Sequence, residues 1–571
     1  MTEKVNYLGT LDYVIMVLVL LISACIGVYY RFTGGKQKTV KEYLLADKNM
    51  HVLPVAFSLM ASFMSAVTLL GVSSENYVFG IQFVVINLSY VLCTPLVAYL
   101  YLPIFYKLQV TSAYEYLEKR YGKVTRVAAS LSYCLQMLLY QGIVLYAPAL
   151  ALEALTGLSK VTAILSVGLV CTFYSTIGGM KAVLITDVFQ SLLMFAAVFS
   201  IVIYGAITVG GLDEIWRIAT EGGRIDILNF NPDPTIRHTW FTLIIGGAIT
   251  FLSLYGVNQT QVQRYMTMKD LKSAQISTWL QLPILSLMSL STSLSGLAIY
   301  ARYYRCDPVA SGAIDINDQL MPYFVVDTMG HLPGLTGLFI AGLFSAALST
   351  VSATINSLAA VTMEDYYKPI YKKIYRMEVP ETKTSIYSKV MALCYGLICV
   401  ATAFLAENLG GVLQASLTIF GVIGGPLLGL FSIGMFTTRA NQKGCILALV
   451  VSMSLSLWMA FGQPRPPSAA LPTSTEGCVL NSTRLVDNLM ENNLRDEGED
   501  YFWLYRVSYL YNGVFAFVYM LIGGYVFSFI IGLFDKENSK DLDPDLFFSP
   551  VANKLRQRKN ASNNAELPRV K

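Results

Sequence analysis

Apolar runs of about twenty residues recur along nearly the whole chain, and the polar stretches between them are mostly short. Each run is long enough to cross a hydrocarbon core as a helix. They predict helices near 11–30, 52–79, 82–106, 127–151, 161–177, 183–208, 239–260, 275–300, 335–362, 387–405, 411–435, 443–462 and 508–534. That makes thirteen, and an odd number places the two ends of the chain on opposite sides. The run around Gly337 to Asp365, GLFIAGLFSAALSTVSATINSLAAVTMED, is unusually polar for a span. Its Ser345, Ser349, Ser352 and Asn356 are spaced by four, three and four residues and share one helical stripe, which Thr350 and Thr354 broaden. Such hydroxyls either bond back to their own helix or replace the water shell of a small hard cation such as sodium.

Two runs carry signs of a break. In LPVAFSLMASFMSAVTLLGVSSENYVFG, Ser58, Ser62, Ser65 and Thr68 interrupt the apolar pattern, and Gly71 with Ser73 and Ser74 would permit an interruption. The seventh run has Gly246-Gly247 and then FLSLYGVNQTQVQRY. A discontinuous helix frees carbonyls and amides at membrane depth, which is tolerable only where they line a cavity or hold an ion. Two broken spans five positions apart predict two five-helix halves of inverted topology, because an odd-numbered unit must insert its second copy upside down. The expected layout is 1–51 as an extracellular N-terminus, first helix and inner loop, then 52–208 and 239–435 as the two repeats. Residues 436–534 add two helices around an outer loop 463–507, and 535–571 form a cytosolic disordered tail.

Composition agrees with a polytopic membrane protein: 54% of the 571 residues are hydrophobic and 14% charged. The first run lacks a small-residue cleavage site and reads as a retained span. Lys and Arg are strongly unequal across alternate connections, 30 on one side and 11 on the other. By the positive-inside rule the N-terminus is extracellular and the C-terminus cytosolic, in the plasma membrane. Loop 463–507 then faces out, with a glycosylation sequon at Asn481. Cys306 and Cys478 also face out, where they either pair or remain separate thiols. The nine cysteines follow no metal-ligand spacing.

GGMKAVLITDVFQ puts Asp187 beside a span, as a functional carboxylate or a helix cap. The glycines and Pro426 of FGVIGGPLLGLF read as close packing or a hinge. His51, His238 and His331 read as interfacial, YEYLEKRYGK as an amphipathic helix at lipid headgroups. No constellation of base, nucleophile and oxyanion donors suggests an enzyme. Membrane lipid is an expected partner and nucleic acid is not.

PVAFSLMASFMSAVTLLGVSSENY, TSAYEYLEKRYG, GGMKAVLITDVFQ, SLYGVNQTQVQRY, LSTVSATINSLAAVTMED and FGVIGGPLLGLF together resemble the sodium/solute symporter family. The likeness is greatest to its branch of monocarboxylate, multivitamin and iodide transporters. The resemblance implies an all-α fold with the leucine-transporter type of 5+5 inverted repeat, and Na+ as co-transported ion with no organic cofactor. It implies a sodium site at Ala61, Met64, Ala346, Ser349 and Thr350, and a role in sodium coupling for Asp187 and Gln190. By position, Ser62, Ser65, Thr68, Tyr140, Phe251, Leu413 and Leu417 would line the substrate pocket. Thr68 matches the monocarboxylate pattern, whereas the iodide pattern has Gln there and Trp in place of Phe251. The expected function is sodium-coupled import of a small organic anion, monocarboxylates foremost, by alternating access. The alternatives are a vitamin-like carboxylate or iodide, and in class a sensor without net transport or an ion channel.

Overall fold

The computed structural model describes residues 8–33, 39–156, 159–406, 411–466, 468–478, 501–534 and 542–566. Its regular elements are helical, as expected where peptide groups must be satisfied within their own segment. In chain order the principal ones are α1 (Thr10–Phe32), α2 (Val52–Ala61), α3 (Ala66–Phe79), α4 (Ile81–Leu108), α5 (Lys123–Thr156), α6 (Lys160–Val209) and α7 (Thr242–Gly256). They continue with α8 (Gln259–Tyr265), α9 (Leu271–Tyr303), α10 (Leu335–Tyr375), α11 (Glu381–Ala403), α12 (Val412–Phe436), α13 (Gln442–Phe461), α14 (Tyr511–Phe534) and α15 (Ser549–Glu566). Ten are long and apolar enough to cross a bilayer, and the pairs α2–α3 and α7–α8 pass together as bent spans of 59° and 54°. All thirteen expected segments fall on these twelve, because 161–177 and 183–208 share the 50-residue α6. At 1.5 Å per residue α6 measures about 75 Å, more than twice a bilayer core. It is interrupted at Gly179, whose φ of 60° and ψ of −162° leave the helical region.

The polar helix α10 sits at the centre, buried along nearly all of its apolar length against α6, α1, α11 and α5. Its start is tied to the start of α1. The Asp12 carboxylate accepts the Gly9 amide at 2.8 Å and the Gly337 amide at 2.7 Å, so one acid caps two helices. Glycine lets α12 and α14 touch: a Cβ at Gly425 would lie 2.6 Å from the Gly513 carbonyl oxygen. Close packing is thus what the FGVIGGPLLGLF glycines supply.

Several expectations are corrected. The first bent span breaks at residues 62–65, between the interrupting Ser62 and Ser65, and not at Gly71, Ser73 or Ser74, which lie inside α3. Ser62 donates to the Ser58 carbonyl and Ser65 is extended, an instance of serine competing with the helical ladder. Gly71 instead admits Leu413, whose Cβ would lie 2.5 Å from an added one. Tyr114, Tyr116, Leu117 and Arg120 of YEYLEKRYGK are buried rather than spread on lipid. His238 is buried too, 3.1 Å from the Glu75 carboxylate. The tail expected to be disordered contains α15, and before it Leu546 and Phe547 are buried, with the Phe548 amide bonded to the Met435 carbonyl at 3.0 Å. Cys306 and Cys478 form a disulfide. Asn481 lies outside the described residues.

Candidate functional site

The break at 62–65 ends α2 with carbonyls that its own ladder no longer reaches. One of them, Ala61 O, faces α10. Ser349 Oγ lies 3.0 Å from it and 3.1 Å from Ala346 O, while Thr350 Oγ1 lies 3.4 Å and 3.1 Å from the same two carbonyls. Four neutral oxygens from two spans therefore converge, with two hydroxyl protons among them. This donor set suits a hard monovalent cation better than a softer metal, since every ligand is an oxygen. Of the five residues expected to hold sodium, the structure brings together Ala61, Ala346, Ser349 and Thr350. Met64 belongs to the intervening turn, where its amide bonds to the Met60 carbonyl at 3.0 Å.

The rest of the α10 stripe is satisfied locally. Ser352 bonds to the Ser349 carbonyl and Asn356 to the Ser352 carbonyl, both at 3.0 Å, as hydroxyl and amide side chains in a helix commonly do. Ser357 and Thr354 also reach other elements: Tyr133 donates to Ser357, and Gln141 to Thr354. Ser345 Oγ is buried with no partner among the described residues.

Asp187 is fully buried within α6 and is not a helix cap. Its Oδ2 accepts from Ser58 of α2 and lies 3.4 Å from Arg264 Nη2 of α8. Arg264, also fully buried, sends Nε to Ser58 Oγ at 2.8 Å and Nη1 to the Thr260 carbonyl at 2.7 Å. One carboxylate thus joins both bent spans. Gln190, one turn on, points instead toward α1, with Nε2 3.4 Å from Ser23 Oγ and 3.5 Å from the Tyr174 hydroxyl. That hydroxyl donates to the Leu348 carbonyl at 3.1 Å, next to Ser349. Arg264 was missed in the sequence because QVQRY reads as the end of a span, where a basic residue counts as a loop charge.

Beyond the break lies a cavity of about 100 Å³. Thr68, Tyr140, Phe251, Leu413 and Leu417 line it, as expected. Ser65 stands behind Tyr140, accepting its hydroxyl at 3.0 Å, and Ser62 turns back to its own helix. Aromatic residues that the sequence reading did not single out complete the walls. Tyr90 stacks on Phe251 and Phe251 on Tyr255, with ring centroids 5.4 and 4.5 Å apart, while Phe420 packs on Tyr140 at 4.6 Å. Phe251 adjoins and Phe420 begins a π-helical turn, Leu252–Gly256 in α7 and Phe420–Gly424 in α12, a distortion frequent at functional sites. None of the lining residues carries a charge. What polarity the cavity has comes from Thr68, Thr250, Ser289, Ser416 and the tyrosines, and the first amides of α3, at Ala66 and Val67, stand outside its helical ladder nearby.

Comparison with known proteins places this architecture. The model of the sodium:solute symporter family matches residues 43–452. A Drosophila melanogaster protein described as a candidate sodium-dependent multivitamin transporter is 55% identical over 96% of this chain and 93% of its own. Sodium-coupled monocarboxylate transporter 1 of Homo sapiens is 42% identical, covering 93% and 88% of the two chains. The sodium-dependent multivitamin transporter of Oryctolagus cuniculus is 40% identical, covering 91% and 82%. Among solved structures, a substrate-bound, outward-open Na+-coupled sialic acid symporter superposes with a TM-score of 0.76 over 91% of this chain and 98% of that one; at 24% identity the likeness concerns the fold. With its bent helix pairs and central polar helix, the chain belongs to the sodium:solute symporter family: an integral membrane transporter of the leucine-transporter fold type, with Na+ as the co-transported ion, and not an enzyme.

Proposed function

We propose that the protein imports small organic anions, monocarboxylates foremost, together with Na+ by alternating access across the plasma membrane. The observation that carries the reading is the placement of the uncharged cavity against the break at 62–65. Ala61 ends one half-helix in the oxygen cluster, and Thr68 sits in the first turn of the next, whose N-terminus is the positive end of its dipole. A carboxylate is favoured at such an end, and a sodium ion at the carbonyl end of the preceding half-helix. Both ligands thus bear on one hinge, which gives a physical route for each to raise the other's affinity. Ala61, Ala346, Ser349 and Thr350 are the proposed sodium ligands, with Asp187 as a positioning residue that holds α2 against α8.

The proposed orientation, N-terminus outside, is supported by the excess of Lys and Arg in one set of connections and by the Cys306–Cys478 disulfide, which belongs in an oxidising compartment. Moving one charge down 100 mV releases roughly 2.3 kcal/mol. Two sodium ions carried with one monovalent anion would therefore concentrate an anion that the potential alone expels. A second reading, a larger vitamin-like carboxylate, is favoured by the 55% identity to the Drosophila protein. Uptake and current in a heterologous cell, across lactate, pyruvate, nicotinate, biotin, pantothenate and iodide, with sodium or choline outside, test the proposal. It predicts sodium-dependent inward current with the short monocarboxylates. Current with biotin and pantothenate alone would favour the second reading, and current with iodide alone would refute both.

A further inference from the structure

Above the central cavity, separated from it by Val72, Phe83, Leu413 and Tyr509, lies a second and larger cavity of about 540 Å³. Its walls come from the segment before α7, the connection after α13 and the segment before α14, with Phe79 and Gln82 at the α3–α4 turn and Gln414 at the start of α12, all on the side assigned to the exterior. Arg237, Arg465, Arg506 and His238 line it, against the single carboxylate of Asp226. Asp226 accepts the Leu228 amide at 3.0 Å and the adjacent Asp233 accepts the Thr235 amide at 2.8 Å; both remain anionic, and Asp233 lies within electrostatic reach of Arg506. Glu75, a further nearby acid, is clamped by Arg237 at 2.6 and 3.0 Å, and Asp318 beyond it accepts the Val412 amide at 3.1 Å. Arg237 also donates to Gln414 at 2.9 Å and to Ser468 at 3.1 Å, and lies over the Phe79 and Tyr509 rings at 4.2 and 4.8 Å. It thereby forms the floor of this vestibule and the roof over the apolar plug.

Arg465 is different. Among the described residues its guanidinium is held by backbone carbonyls alone, Nε by Gly462 at 3.1 Å and Nη2 by Met459, at the C-terminal end of α13. Among the described residues Arg465 has no carboxylate partner, whereas Arg506 is attracted by Asp233. Burial without a counter-ion holds the Arg465 pKa below its ordinary value. Guanidinium groups in a recess bind carboxylates well, since they are always charged and present a planar fork of donors.

We propose that this vestibule is an outer anion-binding subsite, in which Arg465 and Arg506 hold a substrate carboxylate before the Arg237–Glu75 clamp and the plug beneath it open. The inference rests on the proposed anionic substrate and outward orientation, and it adds a residue-level capture step to them. A guanidinium without a carboxylate partner, as at Arg465, attracts anions locally and raises their association rate, so its loss falls on KM and on ionic-strength dependence rather than on the maximal rate.

The test uses the full-length protein in intact cells with a cysteine at the exposed Ala469, which also lines the vestibule. Membrane-impermeant thiol reagents of negative and positive charge are applied from outside, with the parent protein as control for Cys25 and Cys394. Normalised to a free thiol, the anionic reagent is expected to react on the order of tenfold faster. Arg465→Gln and, separately, the exposed Arg506→Gln should each bring that ratio toward one, while Arg465→Lys keeps it. In the Ala469-unmodified background the same Gln variants should raise the KM for the transported anion with Vmax retained. A ratio at or below one, or one indifferent to both Gln variants, overturns the subsite alone. Modification only after the cells are permeabilised overturns the orientation as well. If the uptake panel shows no anion transport while the reagent ratio behaves as expected, the anion-binding surface stands and the substrate reading falls.

Discussion

Asp187 carries its carboxylate at full burial because two other spans answer it, Ser58 by a hydrogen bond and Arg264 by charge. Such a pair adds little net stability, but removing one member leaves an uncompensated charge, at a cost of roughly 3–5 kcal/mol. Asp187→Asn and Arg264→Gln are each expected to lower the unfolding temperature of the purified protein in detergent, and the double variant should recover part of the loss. Strict additivity of the two single effects would show that the pair does not act as a unit. The carboxylate was visible in GGMKAVLITDVFQ, whereas its partner was not, since hydropathy treats a buried half-helix and a loop alike when both are short and polar. The cavity offers a second residue-scale prediction. Thr68→Gln fills space beside the α3 N-terminus without touching the four-oxygen cluster, so it should reorder the anion preference and leave the sodium activation curve near wild type. An unchanged anion ranking with collapsed sodium affinity would move position 68 to the ion site.

Among the elements, the two bent spans and the long α6 show what periodicity reveals and what it hides. Polar interruptions in the second and seventh runs announced breaks, and both exist at bends of 59° and 54°. In the first the break falls between Ser62 and Ser65 and not at Gly71, because glycine marks either flexibility or close approach. At Gly71 it is the approach of Leu413. At Gly179 it is the backbone itself, in a region that only glycine enters readily, and any side chain there costs about 1–3 kcal/mol. Gly179→Ala is accordingly expected to lower thermal stability by that order, more than an alanine at the helical Gly532, around which nothing crowds. Equal, small effects at both positions in a thermal-shift assay would refute a required turn in α6. The stripe on α10 was legible as a pattern, yet only Ser349 and Thr350 meet the freed carbonyl of another span. Which hydroxyls turn back on their own helix depends on the position of the break in α2, and no spacing rule within α10 contains that.

For the molecule as a whole, the charge bias and the disulfide support the proposed orientation, and glycosylation offers an independent check. Enzymatic deglycosylation should shift the electrophoretic mobility of the wild type but not of Asn481→Gln, and an epitope tag after Lys571 should be reached only in permeabilised cells. Labelling of that tag on intact cells would invert the topology. In the proposed mechanism α10 and the end of α2 hold the ion whose gradient drives the substrate. The most direct test is the sodium activation curve of substrate-evoked current in Thr350→Ala, beside Thr350→Ser, at matched surface expression. Losing a hydroxyl ligand to a charged partner costs about 1.5–3 kcal/mol, so half-activation should move roughly ten- to hundredfold higher in Thr350→Ala and little in Thr350→Ser. Apparent substrate affinity should fall with it and be partly restored by high external sodium. A wild-type activation curve in Thr350→Ala would contradict the account, leaving α10 a packing helix with hydroxyls bonded to their own backbone.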